Sequence, residues 1–412
     1  MFLQLNRYKA ISPQIKNFIL ASFFIQLNNS VYFLIANIYM SKAGFSDTEI
    51  ASFVTSRFLL VMLFAFPFGM FIKTQRLKPF YFITAATLPI LTFAMVYGVD
   101  IYNANVVRIV LTLFGMCFMM IAVSALPFIL RNAAKETHTE AIALNFATWS
   151  LGLIFCGVVT FMLTNVFPQY FTERRLFQFF ALLSLFSIYF LFKIGEEKIP
   201  DKSAVSGFVF SQYDWKLILK CVFPTLIIAV GAGFTIPFIN LFFFHVFGVD
   251  SDVFALMGSF SALLVSLVTI IVPSIKLRFG YNAITFSQSL AVLALFLLAT
   301  TEYFSAYGFV VFVAAFLYLI RQPLMSLAGP LTSEMTMYYV GKNNQEMLAA
   351  LNSAIWSSSW LFSSIMFGVL RQQQFKFSSI FYITACLYVV GVTVYWLLIK
   401  DFYRKEKKGL IE

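Results

Sequence analysis

Charge is what this 412-residue sequence has least of: Asp, Glu, Lys and Arg together make up 11% of it, against roughly a quarter in an ordinary soluble domain. Histidine is nearly absent, and the two present, His138 and His245, lie far apart. Cys117, Cys156, Cys221 and Cys386 stand singly in four different apolar runs. Neither a metal site nor a disulfide framework can be drawn from such spacing. The sequence therefore predicts no metal, no cofactor and no enzyme, and the four cysteines read as core residues.

What is there instead is apolar. Hydrophobic residues make up 60% of the chain, and 53 residues are Phe. One bilayer crossing takes about 20 mostly apolar residues, so there is length for about a dozen. After a basic start (Arg7, Lys9, Lys16) the first apolar run is too long for a signal-peptide core, and it reads as an uncleaved span. Spans are expected at 15–41, 48–72, 79–99, 104–130, 140–165 and 174–194, then at 215–245, 251–275, 281–302, 306–333, 345–371 and 375–399. The expected fold class is an all-α polytopic membrane protein with 12 transmembrane helices in two pseudo-symmetric six-helix bundles. The first bundle is 1–194, a cytoplasmic linker covers 195–214, and the second bundle is 215–412 with a short basic tail.

Charge placement tests that count. With both termini cytoplasmic, 21 of the 29 Lys and Arg fall in cytoplasmic segments, 5 outside and 3 within spans, as the positive-inside rule requires. The net charge of +11 is then a topology signal. It calls for anionic lipids on the cytoplasmic face as partner, and it needs no nucleic acid.

One stretch occurs twice. Residues 143–150 read ALNFATWS and residues 350–357 read ALNSAIWS, 207 positions apart and alike at six of eight. Pro127 and Pro330 are 203 apart, each in the apolar run before its copy, and Gly44 and Gly248 are 204 apart. The chain reads as two copies of one unit, kept either for packing or, as in many transporters, for a site at the repeat interface.

Six plus six spans with a cytoplasmic linker resemble the major facilitator superfamily over nearly the whole chain. In that family the loop after the second span reads roughly G-x-x-x-D-[RK]-x-G-[RK]-[RK]. Here residues 69–78 read GMFIKTQRLK, so Gly69, Arg76 and Lys78 fit while Lys73 stands where the acid is expected. The corresponding loop, PSIKLRFGYN at 273–282, holds Lys276 and Arg278 closer to the pattern. The resemblance implies that Lys73, Arg76, Lys276 and Arg278 belong to turns that tie cytoplasmic helix ends together and gate the protein; a merely topogenic role is the alternative. Arg108 opens RIVLTLFG, near where the family carries R-x-x-[QL]-G, with Thr112 in place of the glycine. The fifth span (SLGLIFCGVV) lacks the Gly-Pro pair of the drug-proton antiporters, which counts against a drug exporter.

Ionisable residues inside a bilayer cost several kcal/mol and mark functional paths. Arg321 is the deepest, midway along its span, with Gln322 and Pro323 after it and a second helix break expected at Gly329-Pro330. Arg57 either assists it or reaches the outer interface, and Arg108 is either an interface anchor or a site residue. Of 18 acids only Asp100, Glu302 and Glu334 approach a span, each near an end. Glu334 lies 203 positions after Arg131, so the two are a candidate gate pair or two solvated helix ends. Gln26, Asn28 and Asn29 fall in the middle of the first span. Asn145 and Trp149, like Asn352 and Trp356, are four apart and share a helix face, for packing or for substrate contact.

These readings add up to an expected secondary active transporter working by alternating access. The favoured substrate is a small organic anion or zwitterion, because the intramembrane charge is positive. A coupling ion or counter-substrate, a monomeric state and the bacterial inner membrane complete the expectation. An exporter or flippase of amphipathic compounds or lipids is the alternative, and a non-transporting receptor ranks third.

Overall fold

A computed structural model describes residues 10–72, 75–134, 137–197, 213–341 and 344–409. Among these residues every regular element is a helix. The first set is α1 (Pro13–Lys42), α2 (Asp47–Phe71), α3 (Lys78–Asp100), α4 (Ala104–Asn132), α5 (His138–Val166), α6 (Glu173–Ser184) and α7 (Phe186–Phe192). The second is α8 (Trp215–Thr235), α9 (Ile239–Phe247), α10 (Ser251–Phe279), α11 (Asn282–Thr300), α12 (Val310–Val340), α13 (Gln345–Gln372) and α14 (Phe377–Glu406). Among the described residues, 12 helical segments are long and apolar enough to cross a membrane. A bilayer leaves a spanning backbone no water to bond with, so long apolar runs close their hydrogen bonds internally and become helices.

Helix starts follow from local chemistry. Ser12 accepts from the Ile15 amide, with Pro13 at the first helical position of α1, where a missing N–H costs nothing. At α2, Ser46 and Glu49 form a reciprocal capping box. Asn103 caps α4, and Asp214 caps α8. The α9 helix ends on Gly248 in the left-handed region (φ 66°), which a side chain would strain.

Two expectations are corrected at this level, and one span shows a detail of its own. The breaks predicted around Pro323 and Pro330 do not occur, since α12 runs without interruption from Val310 to Val340. Each proline removes one i to i−4 bond, and the flanking bonds carry the helix through. The expected seventh span is present as Trp215–Phe247 and carries within it a 3-10 turn at Ile236–Phe238, centred on Pro237. Cys386 is exposed on its helix, unlike the buried Cys117, Cys156 and Cys221. By contrast the junction of α6 and α7 is a single residue, Leu185, still in helical geometry (φ −61°, ψ −22°), so that span is effectively one helix.

The chain divides into two compact units, Met1–Gly207 with Asp250–Ser259, and Phe208–Val249 with Phe260–Glu412. In unit 1, α1 packs on α5, α6 and α7, while α3 packs on α4. In unit 2, α8 packs on α13 and α14, and α11 packs on α12. The pairings named for the first unit thus recur in the second. Hydrophobicity does not drive helices together inside lipid, so close packing has to. Phe18 stacks on Phe128 (4.2 Å) and meets Tyr81 edge-on (4.9 Å) in unit 1, and Phe238 stacks on Phe367 (3.7 Å) in unit 2. At Gly115 of α4 an added Cβ would stand 1.8 Å from the carbonyl oxygen of Arg57 on α2, so only glycine permits that approach. Unit 1 also holds the start of α10. There Lys42 bridges Glu173 (2.7 Å) and Asp250 (2.9 Å), and Ser259 donates to the carbonyls of Leu153 and Ile154.

Candidate functional site

Unit 2 contains a cavity of about 310 Å³ whose wall includes Gln288 of α11, Arg321 and Gln322 of α12, Asn352 and Trp356 of α13, and Tyr388 of α14. Arg321 is 1% exposed. Its Nη1 donates to Gln322 Oε1 (3.3 Å) and its Nη2 to Tyr388 Oη (3.2 Å). Among the described residues its Nε has no partner, and neither do Gln288 Oε1 and Asn352 Oδ1. No carboxylate among the described residues lies within ion-pair distance of Arg321, and none lines the cavity. A buried polar atom without a hydrogen bond costs about 1–3 kcal/mol, so one cavity gathers three groups that a ligand or water would satisfy.

Arg57, expected either beside Arg321 or at the outer interface, is buried in unit 1 (5% exposed). It donates to Asn29 Oδ1 and lies 4.2 Å over the Tyr32 ring, with Phe33 and Phe114 near 5 Å. Arg108 bonds Ser52 and Asn105. Asn28 accepts from Thr92 (3.1 Å), while Gln26 keeps a buried, unpaired Nε2. The structure therefore divides the first-span amides among separate neighbours. The repeated motif has diverged too: Trp149 meets Phe33 edge-on (5.1 Å) on the same helix as Asn145, whereas Asn352 and Trp356 line the unit 2 cavity.

Three of the candidate gate residues, Arg131, Glu334 and Lys276, are held inside their own units. Arg131 donates to the carbonyls of Gln75 and Ile72 (2.9 Å each) and lies 3.7 Å from Glu197. Glu334 accepts from Lys276 (2.6 Å), and that hydrogen bond holds the Lys276 ammonium above its ordinary range. Arg76 and Arg278 are exposed. Lys73 lies outside the described residues, as does most of the expected linker.

Sequence reasoning missed four participants. Gln288, an amide inside the apolar run ITFSQSLAVLALF, was detectable by the rule that picked out Gln26. Tyr388 and Tyr395, both in the cavity wall, carried no signal among 19 tyrosines. Glu197 sits in a polar stretch, yet its carboxylate accepts from the amides of Leu77 and Lys78 at the start of α3. It supplies near that loop the negative charge that Lys73 does not. An acid is also buried where none was expected: Glu140, in the first turn of α5, is 9% exposed.

Twelve helical segments among the described residues able to cross a bilayer, organised as a repeated six-span unit with a polar cavity among apolar helices, define a multi-pass integral membrane protein of the transporter type. The family profile of the Major Facilitator Superfamily matches residues 18–364, and the chain belongs to that family. No curated relative matches it in sequence. Among solved structures it is similar to a mutant form of the nucleoside transporter NupG (TM-score 0.70, 12% identity, covering 93% of this chain and 99% of that one). It is also similar to a bacterial homologue of the iron transporter ferroportin in an inward-facing state (TM-score 0.71, 13% identity, 92% and 97% covered). A third is a D-xylose-proton symporter (TM-score 0.66, 14% identity, 93% and 95% covered). At such identities these likenesses speak for the fold alone.

Proposed function

We propose that the protein is a secondary active transporter that moves a small organic anion or zwitterion across the cytoplasmic membrane by alternating access. The observation that carries the reading is Arg321, a buried guanidinium with an unpaired Nε and no carboxylate within ion-pair distance among the described residues, facing a cavity large enough for a small metabolite. A guanidinium offers a carboxylate or phosphate two parallel hydrogen bonds. The unpaired oxygens of Gln288 and Asn352 suit the ammonium or hydroxyl at the other end of such a molecule. The similar structures handle substrates as unlike as nucleosides and D-xylose, so the substrate class rests on the cavity's own chemistry. The charge distribution supports cytoplasmic termini. A coupling ion or counter-substrate acts elsewhere than on a cavity acid, since none lines the site among the described residues.

The test is uptake of radiolabelled carboxylates and amino acids by proteoliposomes carrying wild type or Arg321→Gln. Uptake should be lost in the variant while yield and monodispersity stay unchanged. Undiminished uptake would remove the anion reading, and transport of amphipathic compounds that ignores Arg321 would favour an exporter of such compounds.

A further inference from the structure

A second cavity in unit 2, about 430 Å³, shares no wall residue with the first. It is lined by Lys220 of α8 and by Val394, Leu397, Leu398, Lys400, Asp401 and Arg404 of α14. Asp401 is the centre of its polar end, accepting from Lys220 Nζ, Tyr339 Oη and Arg404. Its side chain is 10% exposed, while those of Lys220 and Arg404 are 48% and 70% exposed. The acid is thus spent on fixing the cations from behind, and the open side presents positive charge. Lys400 adds to it. Its Nζ stands 3.4 Å above the centre of the Trp396 ring, and among the described residues it has no carboxylate partner.

The other wall of this cavity is apolar, with buried Leu398 part of it. Val394 and Leu397 line it; Leu397 is exposed, as is neighbouring Trp396. Within three turns of one helix the surface passes from aliphatic, through a Trp of the kind that marks the bilayer interface, to basic. A ligand that fits must carry an anionic head with a hydrocarbon chain close behind it. A free phosphate would meet the basic end and leave the apolar wall bare. A zwitterionic phosphatidylcholine would bring its own cation into a cleft whose carboxylate is already taken by three donors. Basic pockets between spanning helices suit anionic headgroups on general electrostatic grounds.

We propose that this cleft binds one anionic phospholipid, its phosphate held by Lys220, Lys400 and Arg404 and the first methylenes of an acyl chain lying along Val394 and Leu397.

The full-length protein in detergent, given equal amounts of phosphatidylglycerol and phosphatidylcholine, tests this by native mass spectrometry. Wild type should retain phosphatidylglycerol preferentially. Removing two charges near a membrane surface, in the double variant Lys400→Gln/Arg404→Gln, should cut that preference about thirty-fold. Should the double variant fail to fold, Lys400→Gln alone removes the cation over Trp396 and should cut it about five-fold. Lys193→Gln, which removes a charge in unit 1, should leave it unchanged. Equal retention of the two lipids by wild type, undiminished preference in the cleft variants, or an equal fall in Lys193→Gln would each overturn the proposal. So would displacement of the lipid by inorganic phosphate alone, which would make the site one for the free anion.

Discussion

Arg321 stands at the centre of an apolar helix with two long hydrogen bonds to neutral oxygens and, among the described residues, a third donor idle. A charge held so loosely is a poor structural device, because buried charges that serve stability are normally paired. Arg57 shows the contrast: its guanidinium is enclosed by rings and by Asn29, a setting that satisfies the cation without a ligand. The sequence made both arginines legible, since charge inside apolar runs is conspicuous, but it could not tell a caged guanidinium from an open one. Neutral partners such as Gln288 and Tyr388 were hard to read for a different reason: amides and phenols are tolerated at many depths and stand out only once a cavity brings them together. A tightly constrained position of unit 1 is not polar at all. Gly115→Ala would force a Cβ against the Arg57 carbonyl and should destabilise the protein by about 2 kcal/mol or more, read as a lower midpoint of thermal unfolding in detergent. An unchanged midpoint would mean that α2 and α4 do not approach as closely as described.

At the scale of elements, helices were legible because a bilayer leaves an apolar run of this length little choice. Their interruptions were less so. Two prolines in α12 leave it continuous, and one at 237 coincides with a 3-10 turn. The difference lies in the neighbouring hydrogen bonds, which a linear pattern does not display. Caps belong to the same scale. Ser46 and Glu49 close the first turn of α2 by both bonds of a capping box, so Ser46→Ala should cost about 1 kcal/mol in unfolding measurements; a loss below a few tenths would show the cap to be dispensable. Glu197 reaches the start of α3 from about 120 residues along the chain, a distance at which no local motif points to it.

At the scale of the whole molecule, the two copies of the ALN motif lie in two units that share helix pairings, and the positions within the motif have parted. One copy's tryptophan packs against Phe33, while the other faces a cavity with its asparagine oxygen unpaired. Sequence similarity between the copies reported shared architecture and not shared chemistry, so the site is asymmetric where the fold repeats. The central claim, that the Arg321 cavity receives an anionic or zwitterionic solute, is tested most directly by thermal unfolding of the purified protein against a panel of metabolites, because a ligand that binds only the folded state raises its apparent stability with saturation. Carboxylates or phosphates should raise the unfolding temperature of wild type and leave Arg321→Gln unmoved. Stabilisation that persists in Arg321→Gln, or that comes only from hydrophobic cations, would contradict it.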